Sequence, residues 1–303
     1  MRIPFFTADV FTSHRFGGNQ LAVFPDATSI PEELLLDITR EFNYSETVFV
    51  HPPASPAHTR RLRIFTPGGE VPFAGHPTVG TAHVLAATGH IALDGAETRI
   101  VFEEKIGPVP VTIFAESGKP VRAQLSVAKL PEIGPPPPSR ERLAEVLGLE
   151  TQALLAGKFG PQAVSCGLPF LFVPVRDRKA VARARVRLDR WEPILATSWA
   201  PEIFVFARDA ENPGSDIRAR MFAPGMSVPE DPATGSACAA LAGYLAARDT
   251  RRDGILRWVV EQGFEMGRPS ILEIEADKSD GTITAIRVAG ATVMVAEGTL
   301  DIG

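Results

Sequence analysis

Arg61 to Pro72 reads RLRIFTPGGEVP and Arg218 to Pro229 reads RARMFAPGMSVP, with seven of twelve positions identical at an offset of 157. A match of that length between distant parts of one chain marks an internal repeat. After a two-residue slip the similarity resumes, laying His76-Pro77-Thr78-Val79-Gly80-Thr81-Ala82 over Asp231-Pro232-Ala233-Thr234-Gly235-Ser236-Ala237. In each copy a segment with β-branched or aromatic residues runs into a Pro/Gly turn, and an Ala-rich stretch with helical propensity follows. The two helices are expected over His76–Ala87 and Asp231–Ala247. Both carry almost no charge, so each is expected to be surrounded by its own domain and not to lie on a surface.

Working outward, SETVFV, RIVFEE, FLFVPV, EIFVFA and ITAIRVAG read as strands, and Pro31–Phe42 and Arg140–Leu147 as helices. Strands and helices do not alternate as βαβ units, so the class is α+β and strand-rich. Between the repeats, LPEIGPPPPSRERLAEVLGL holds four consecutive prolines that neither a helix nor a central strand accommodates, while Ser139 can cap the next helix. The expected domains are therefore 1–130 and 131–303. A chain of 303 residues is long enough for two such bodies.

A net charge of -5 gives no electrostatic reason to expect a nucleic acid or an anionic membrane as partner, which leaves a small molecule. Two cysteines, Cys166 and Cys238, exclude a disulfide framework and a four-cysteine metal site, and fit a reducing cytoplasm. The start, MRIPFFTADVF, reads as a strand and not as a signal peptide. The uncharged run Val71–Leu93 is broken by prolines, glycines and histidines, unlike a membrane span.

Candidate chemistry gathers at the two helix starts. In FAGHPTVGTA (Phe73–Ala82) a proline in the first helical turn and small neighbours leave backbone N–H groups able to meet an anion such as a carboxylate, with His76 at the mouth. The spacing G-x-x-x-x-G superficially suggests a phosphate loop, but Thr81 stands where its lysine belongs. In EDPATGSA (Glu230–Ala237) a carboxylate, a hydroxyl and amides are brought together by one turn. By themselves Asp231 and Ser236 read as ordinary caps, and Glu46 at the head of SETVFV as a solvated strand end. His83 and His90 follow His76 at intervals of seven, which is not a chelating spacing, and both cysteines read as packing residues.

At these residues the chain resembles the PhzF family of phenazine biosynthesis. The resemblance runs through DVFTSHRFGGNQLAVF, SETVFV, RIFTPGGEVPFAGHPTVGTA, MFAPGMSVPEDPATGSACAAL, QGFEMGRPS and VAGATVMVAEG, essentially the whole sequence. It implies a diaminopimelate epimerase-like fold: two similar domains related by duplication, each a barrel-like sheet around a central helix, with an active site in the cleft between them. The last strand can return to the first domain in this fold, and homodimers are common. Carried over by position, the acid/base glutamate falls on Glu46, the helix-mouth histidine on His76, and the second-domain residues on Asp231 and Ser236. These imply catalytic roles for Glu46, His76 and Asp231, and substrate binding by Gly75, Pro77, Thr78, Gly235, Ser236 and Ala237. The family's phenazine enzyme isomerises trans-2,3-dihydro-3-hydroxyanthranilate by moving a proton from C3 to C1, without a cofactor or metal.

A carboxylate that takes a proton from one carbon and returns it to another should titrate near neutrality, so enclosure is expected to raise the pKa of Glu46. Ser236 lies in no nucleophile elbow and is expected to bind substrate. Two-thiol epimerisation of the diaminopimelate epimerase or proline racemase kind needs a cysteine in both mouths, where this chain has His76 and Asp231. The remaining alternatives are an isomerase or epimerase acting on another amino-acid-like substrate, and a ligand-binding or interaction protein that keeps the fold.

Overall fold

The computed structural model describes all residues, Met1–Gly303, and combines β-sheet with helices, an α+β architecture. Its contacts divide the chain into two units, Met1–Ala128 with Val288–Gly303, and Lys129–Arg287.

In the first unit the strands are β1 (Arg2–Val10), β2 (Asn19–Phe24), β3 (Glu46–His51), β4 (Arg60–Thr66), β5 (Gly69–Val71), β6 (Glu97–Glu104), β7 (Gly107–Glu116) and β8 (Lys119–Ser126). The helices are α1 (Leu35–Phe42) and α2 (Gly75–Ala87). Strand β1 pairs antiparallel with β2, β2 parallel with β3, and β3 antiparallel with β4. β4 pairs antiparallel with β5 and parallel with β6, and β6, β7 and β8 form an antiparallel meander. The C-terminal residues return to this unit, where Thr292 to Asp301 pair with Val10 to Arg2.

Helix α2 packs against β1, β2, β3, β7 and β8, and every residue from Gly75 to Ala86 is buried. That is why its sequence has no polar stripe: a helix enclosed on all sides has no face on which charge is hydrated. Gly80 marks the tightest approach, since a Cβ there would lie 2.5 Å from methyl carbons of both Val10 and Leu21. Helix α1 has the opposite pattern, burying Leu35, Ile38 and Thr39 on one face against β3 and β4. The helix expected from Pro31 opens as a 3-10 turn over Glu32–Leu34 before α1 begins. Phe24, Phe49 and Phe65 fill the core beneath α1 with Ile3, Ile30 and Ile38.

The second unit contains β9 (Glu132–Ile133), α3 (Arg140–Leu147), β10 (Gln162–Ser165), β11 (Pro169–Pro174), α4 (Arg178–Arg183), α5 (Leu188–Leu195) and β12 (Glu202–Ala207). It continues through β13 (Ile217–Ala223), β14 (Val228–Asp231), α6 (Gly235–Ala246), β15 (Gly254–Gln262) and β16 (Ser270–Ser279). Strand β17 (Thr282–Asp301) starts in this unit and ends in the first. Ser139 caps α3 as expected, accepting from the Arg142 N–H. Helix α6 is buried from Gly235 to Ala246 and packs against β10, β11, β15 and β16.

The order β4, β5, α2, β6 recurs as β13, β14, α6, β15, with antiparallel first pairings and a parallel pairing of the outer strands in both. Arg61 lies opposite Glu103, and Arg218 opposite Glu261. Glu103 accepts from the N–H groups of Ala54 and Ser55, and Glu261 from those of Glu211 and Asn212. The alignment of His76 over Asp231 does not hold. Asp231 ends strand β14, paired with Met221, and helix α6 begins only at Gly235. Matching the helix starts Gly75 and Gly235 puts Ser236 opposite His76. Pro232 has no N–H to extend the ladder, and Thr234, with non-helical backbone at φ -110° and ψ 89°, leads into the helix instead.

Candidate active site

Glu46 is the first residue of β3 and lies opposite Leu21 of β2. Asn19 begins β2, and the turn before it depends on Gly18: its φ is 62°, and a Cβ would meet the Val10 carbonyl oxygen at 2.3 Å. His76 is the second residue of α2. These short-range features place three polar side chains from separate elements together. His76 Nε2 stands 3.5 Å from Glu46 Oε2, longer than a formed hydrogen bond, and the Asn19 amide nitrogen is 3.2 Å from His76 Nδ1.

The imidazole of His76 is 2% exposed, and burial pushes its pKa down to about 3, against a smaller upward effect of a backbone hydrogen bond with Gln20. His76 is therefore neutral at ordinary pH, because an imidazolium would be stripped of water. Nδ1 lies against the Asn19 amide, and Nε2 faces the Glu46 carboxylate. Such a neutral ring can donate to a carboxylate or a substrate oxygen without itself adding charge.

Beside His76, the N–H groups of Gly75 and His76 belong to the first turn of α2, where a helix has no carbonyl of its own to offer them. Pro77 has no N–H to contribute. Thr78 follows in the first turn of α2. Its hydroxyl lies inside the unit, 2.8 Å from the Ala74 carbonyl and 2.5 Å from Glu104 Oε1, and its N–H is bonded to Ala74.

In the second unit Asp231 is 5% exposed, and the Thr234 hydroxyl donates to its Oδ2 at 2.5 Å. Gln262, at the end of β15, holds this turn together: its Nε2 donates to the Asp231 carbonyl and to Thr234 Oγ1, and its Oε1 accepts from the Thr234 N–H. Gly235, Ser236 and Ala237 form the first turn of α6 and are buried. Sequence reasoning assigned no role to Asn19, Glu104 or Gln262. Asn19 lies within DVFTSHRFGGNQLAVF, and Glu104 closes RIVFEE, but nothing local distinguishes either from a strand terminus.

Cys166 and Cys238 are 2% and 0% exposed. Burial pushes the Cys166 thiol up to about 12, and Cys238 is raised by burial first and then by the Asp231 charge. Thiolates are disfavoured at both, so neither cysteine is poised as a base. No cluster of three or more His, Cys, Asp or Glu residues with metal-holding geometry is present, and no helix is long and apolar enough to cross a membrane.

A family model described as phenazine biosynthesis-like protein, PhzC-PhzF, matches residues 8–298. An uncharacterized isomerase of Mesorhizobium japonicum is 39% identical over 297 residues, covering 97% of each chain. The trans-2,3-dihydro-3-hydroxyanthranilate isomerase of Pseudomonas aeruginosa is 33% identical over 301 residues, covering 96% of each. Among solved structures, a PhzF-family phenazine biosynthesis protein of Bacillus anthracis superposes with a TM-score of 0.88 over the full length of both chains at 26% identity.

Proposed function

This chain belongs to the phenazine biosynthesis-like PhzC-PhzF family of isomerases, and from that premise we propose that it moves a proton between two carbons of a small unsaturated or cyclic amino or hydroxy acid. The observation that carries the proposal is the approach of His76 Nε2 to Glu46 Oε2, at 3.5 Å, beside the start of a buried helix. Glu46 takes the proton from one carbon as the adjoining double bond shifts, and returns it to the carbon at the far end of the shifted system. One C–H bond breaks, another forms, and the composition of the substrate is unchanged. His76, held neutral by burial, donates to a polar group of the substrate or to the Glu46 carboxylate. The substrate carboxylate accepts from the N–H groups of Gly75 and His76, where the α2 dipole favours negative charge. In the second unit the same reading assigns Asp231 a catalytic role and Ser236 substrate binding. The reaction needs no cofactor, since an allylic proton is acidified by the substrate's own unsaturation.

A trans-2,3-dihydro-3-hydroxyanthranilate is the first substrate to test, because a relative of that named activity covers nearly the whole chain. Conversion in deuterated water is followed by NMR and mass spectrometry for wild type and Glu46→Gln, with related unsaturated amino and hydroxy acids in parallel. Glu46-dependent entry of deuterium at the receiving carbon supports the reading, and the compound on which it occurs identifies the substrate. Full activity in Glu46→Gln refutes the role of Glu46. Binding of these compounds without exchange on any of them favours a ligand-binding protein.

A further inference from the structure

We propose that Glu104 is held as a neutral carboxylic acid and serves as a positioning residue that anchors the start of α2, and with it His76, through its proton. The proposal rests on the reading of that helix start as part of the active site. It begins with a count of protons. Thr78 Oγ1 lies 2.8 Å from the Ala74 carbonyl oxygen and 2.5 Å from Glu104 Oε1. A threonine hydroxyl carries one proton and a carbonyl carries none. If Thr78 donates to Ala74, the proton in the short contact to Glu104 comes from the carboxyl group. The chain of donors then runs from Glu104 to Thr78 to Ala74, the residue that caps α2 immediately before Gly75 and His76.

The surroundings agree. Glu104 is 7% exposed and its Oε2 has no hydrogen-bond partner, a poor setting for an ionised group. Its charged neighbours in the adjoining surface cavity are engaged with one another: Arg63 with Glu32 and Glu70, Lys105 with Glu70, and Glu103 with His58. Arg61 also lines that cavity and is exposed to solvent. The titratable residues of α2, His76 and His83, are both driven toward the neutral form by burial and supply no compensating cation. Burial correspondingly raises the Glu104 carboxyl to about 8, opposed only by the bond that the Thr78 hydroxyl can donate to the ionised form.

The second unit supplies an independent comparison. Since Arg61 pairs with Glu103 and Arg218 with Glu261, Glu104 and Gln262 occupy matching positions at the ends of parallel-paired strands. Gln262 is neutral, close to glutamic acid in shape, and donates to the turn that opens α6. The same position at the two helix starts is thus filled by a side chain that donates a proton, as an amide in one unit and as an acid in the other.

The test is side-chain NMR on the whole protein labelled with 13C at the glutamate carboxyl carbon, with Glu104→Gln identifying the resonance. Glu104 is expected to remain neutral at pH 6.5 and to titrate near pH 8. The backbone amide signals of Gly75 and His76 should move with the same midpoint in wild type and stay still in Glu104→Gln. A Glu104 signal already ionised at pH 6 overturns the proposal, as do amide shifts that persist in Glu104→Gln. With an active substrate in hand, wild type should lose about ten-fold in rate between pH 7 and 9, since about a tenth of the acid remains protonated one unit above its pKa. Glu104→Gln should lose less than about two-fold over that range. Equal losses in both proteins count against positioning. If no compound shows Glu46-dependent exchange, the isomerase reading fails, while the NMR titration still decides the state and anchoring role of Glu104.

Discussion

Replacing Gly80 by alanine tests whether the close packing of α2 against β1 and β2 sets the stability of the first unit and the placement of His76. The added Cβ would lie 2.5 Å from Val10 Cγ2 and 2.5 Å from Leu21 Cδ2, where carbon atoms normally keep about 3.5–4.0 Å. Both neighbours are fully buried, so relief requires each methyl to shift by about 1 Å or more in a filled core. Overpacking of this kind costs about 1–3 kcal/mol. Alanine's better helix propensity returns about 1 kcal/mol, leaving a net loss of about 0–2 kcal/mol. Urea unfolding should be followed by far-ultraviolet circular dichroism, because Trp191, Trp199 and Trp258 all lie in the second unit and their fluorescence does not report on the first. Val10→Ala in the Gly80→Ala background should cost less than in wild type, with a coupling of about 1 kcal/mol. Since His76 precedes Gly80 by one helical turn, substrate turnover should fall as well. A Gly80→Ala protein clearly more stable than wild type, with no coupling to Val10→Ala, would refute the close-packing argument and leave propensity as the governing term.

Glu46→Gln should reduce proton exchange by about 10²–10⁴-fold, the usual contribution of a positioned acid/base group, while thermal unfolding remains close to that of wild type. Asn19→Ala removes the side-chain amide from His76 Nδ1 and should lower turnover by about five-fold with little change in unfolding, the size of one lost hydrogen bond of about 1 kcal/mol. Gln262→Leu leaves the Asp231 carbonyl and the Thr234 N–H without this partner and should destabilise the second unit by about 2–3 kcal/mol, read by tryptophan fluorescence in urea. Burial raises Glu202 to about 7, so the folded protein binds its proton more tightly than the unfolded chain. Its contribution to stability therefore falls as pH rises from about 4.5 to 7, and Glu202→Gln should flatten that part of the stability profile. A profile in Glu202→Gln identical to that of wild type would contradict this assignment.

The repeat around TPGGEVP and APGMSVP and the chargeless helices were legible because each is carried by local chemistry, whereas Glu46, His76, Asp231 and Ser236 were singled out through the resemblance to a family and not by their local pattern. A buried helix announces itself by lacking a polar stripe, and a turn by its prolines and glycines. The identity of the strands SETVFV, FLFVPV and EIFVFA was legible for the same reason: β-branched and aromatic residues in short runs between turn formers. By contrast, the alignment of the two helix starts was a matter of tertiary structure. The side-chain pattern of EDPATGSA accommodates a helix from Asp231 equally well, and only the pairing of Asp231 with Met221 assigns it to a strand. Asn19 meets His76 across 57 positions, Thr78 meets Glu104 across 26, and Gln262 meets Asp231 across 31. Local periodicity specifies which face of an element is apolar. Which distant donor and acceptor a buried polar atom finds is settled by the packing of whole elements, and with it the protonation state of Glu104 and the neutrality of His76.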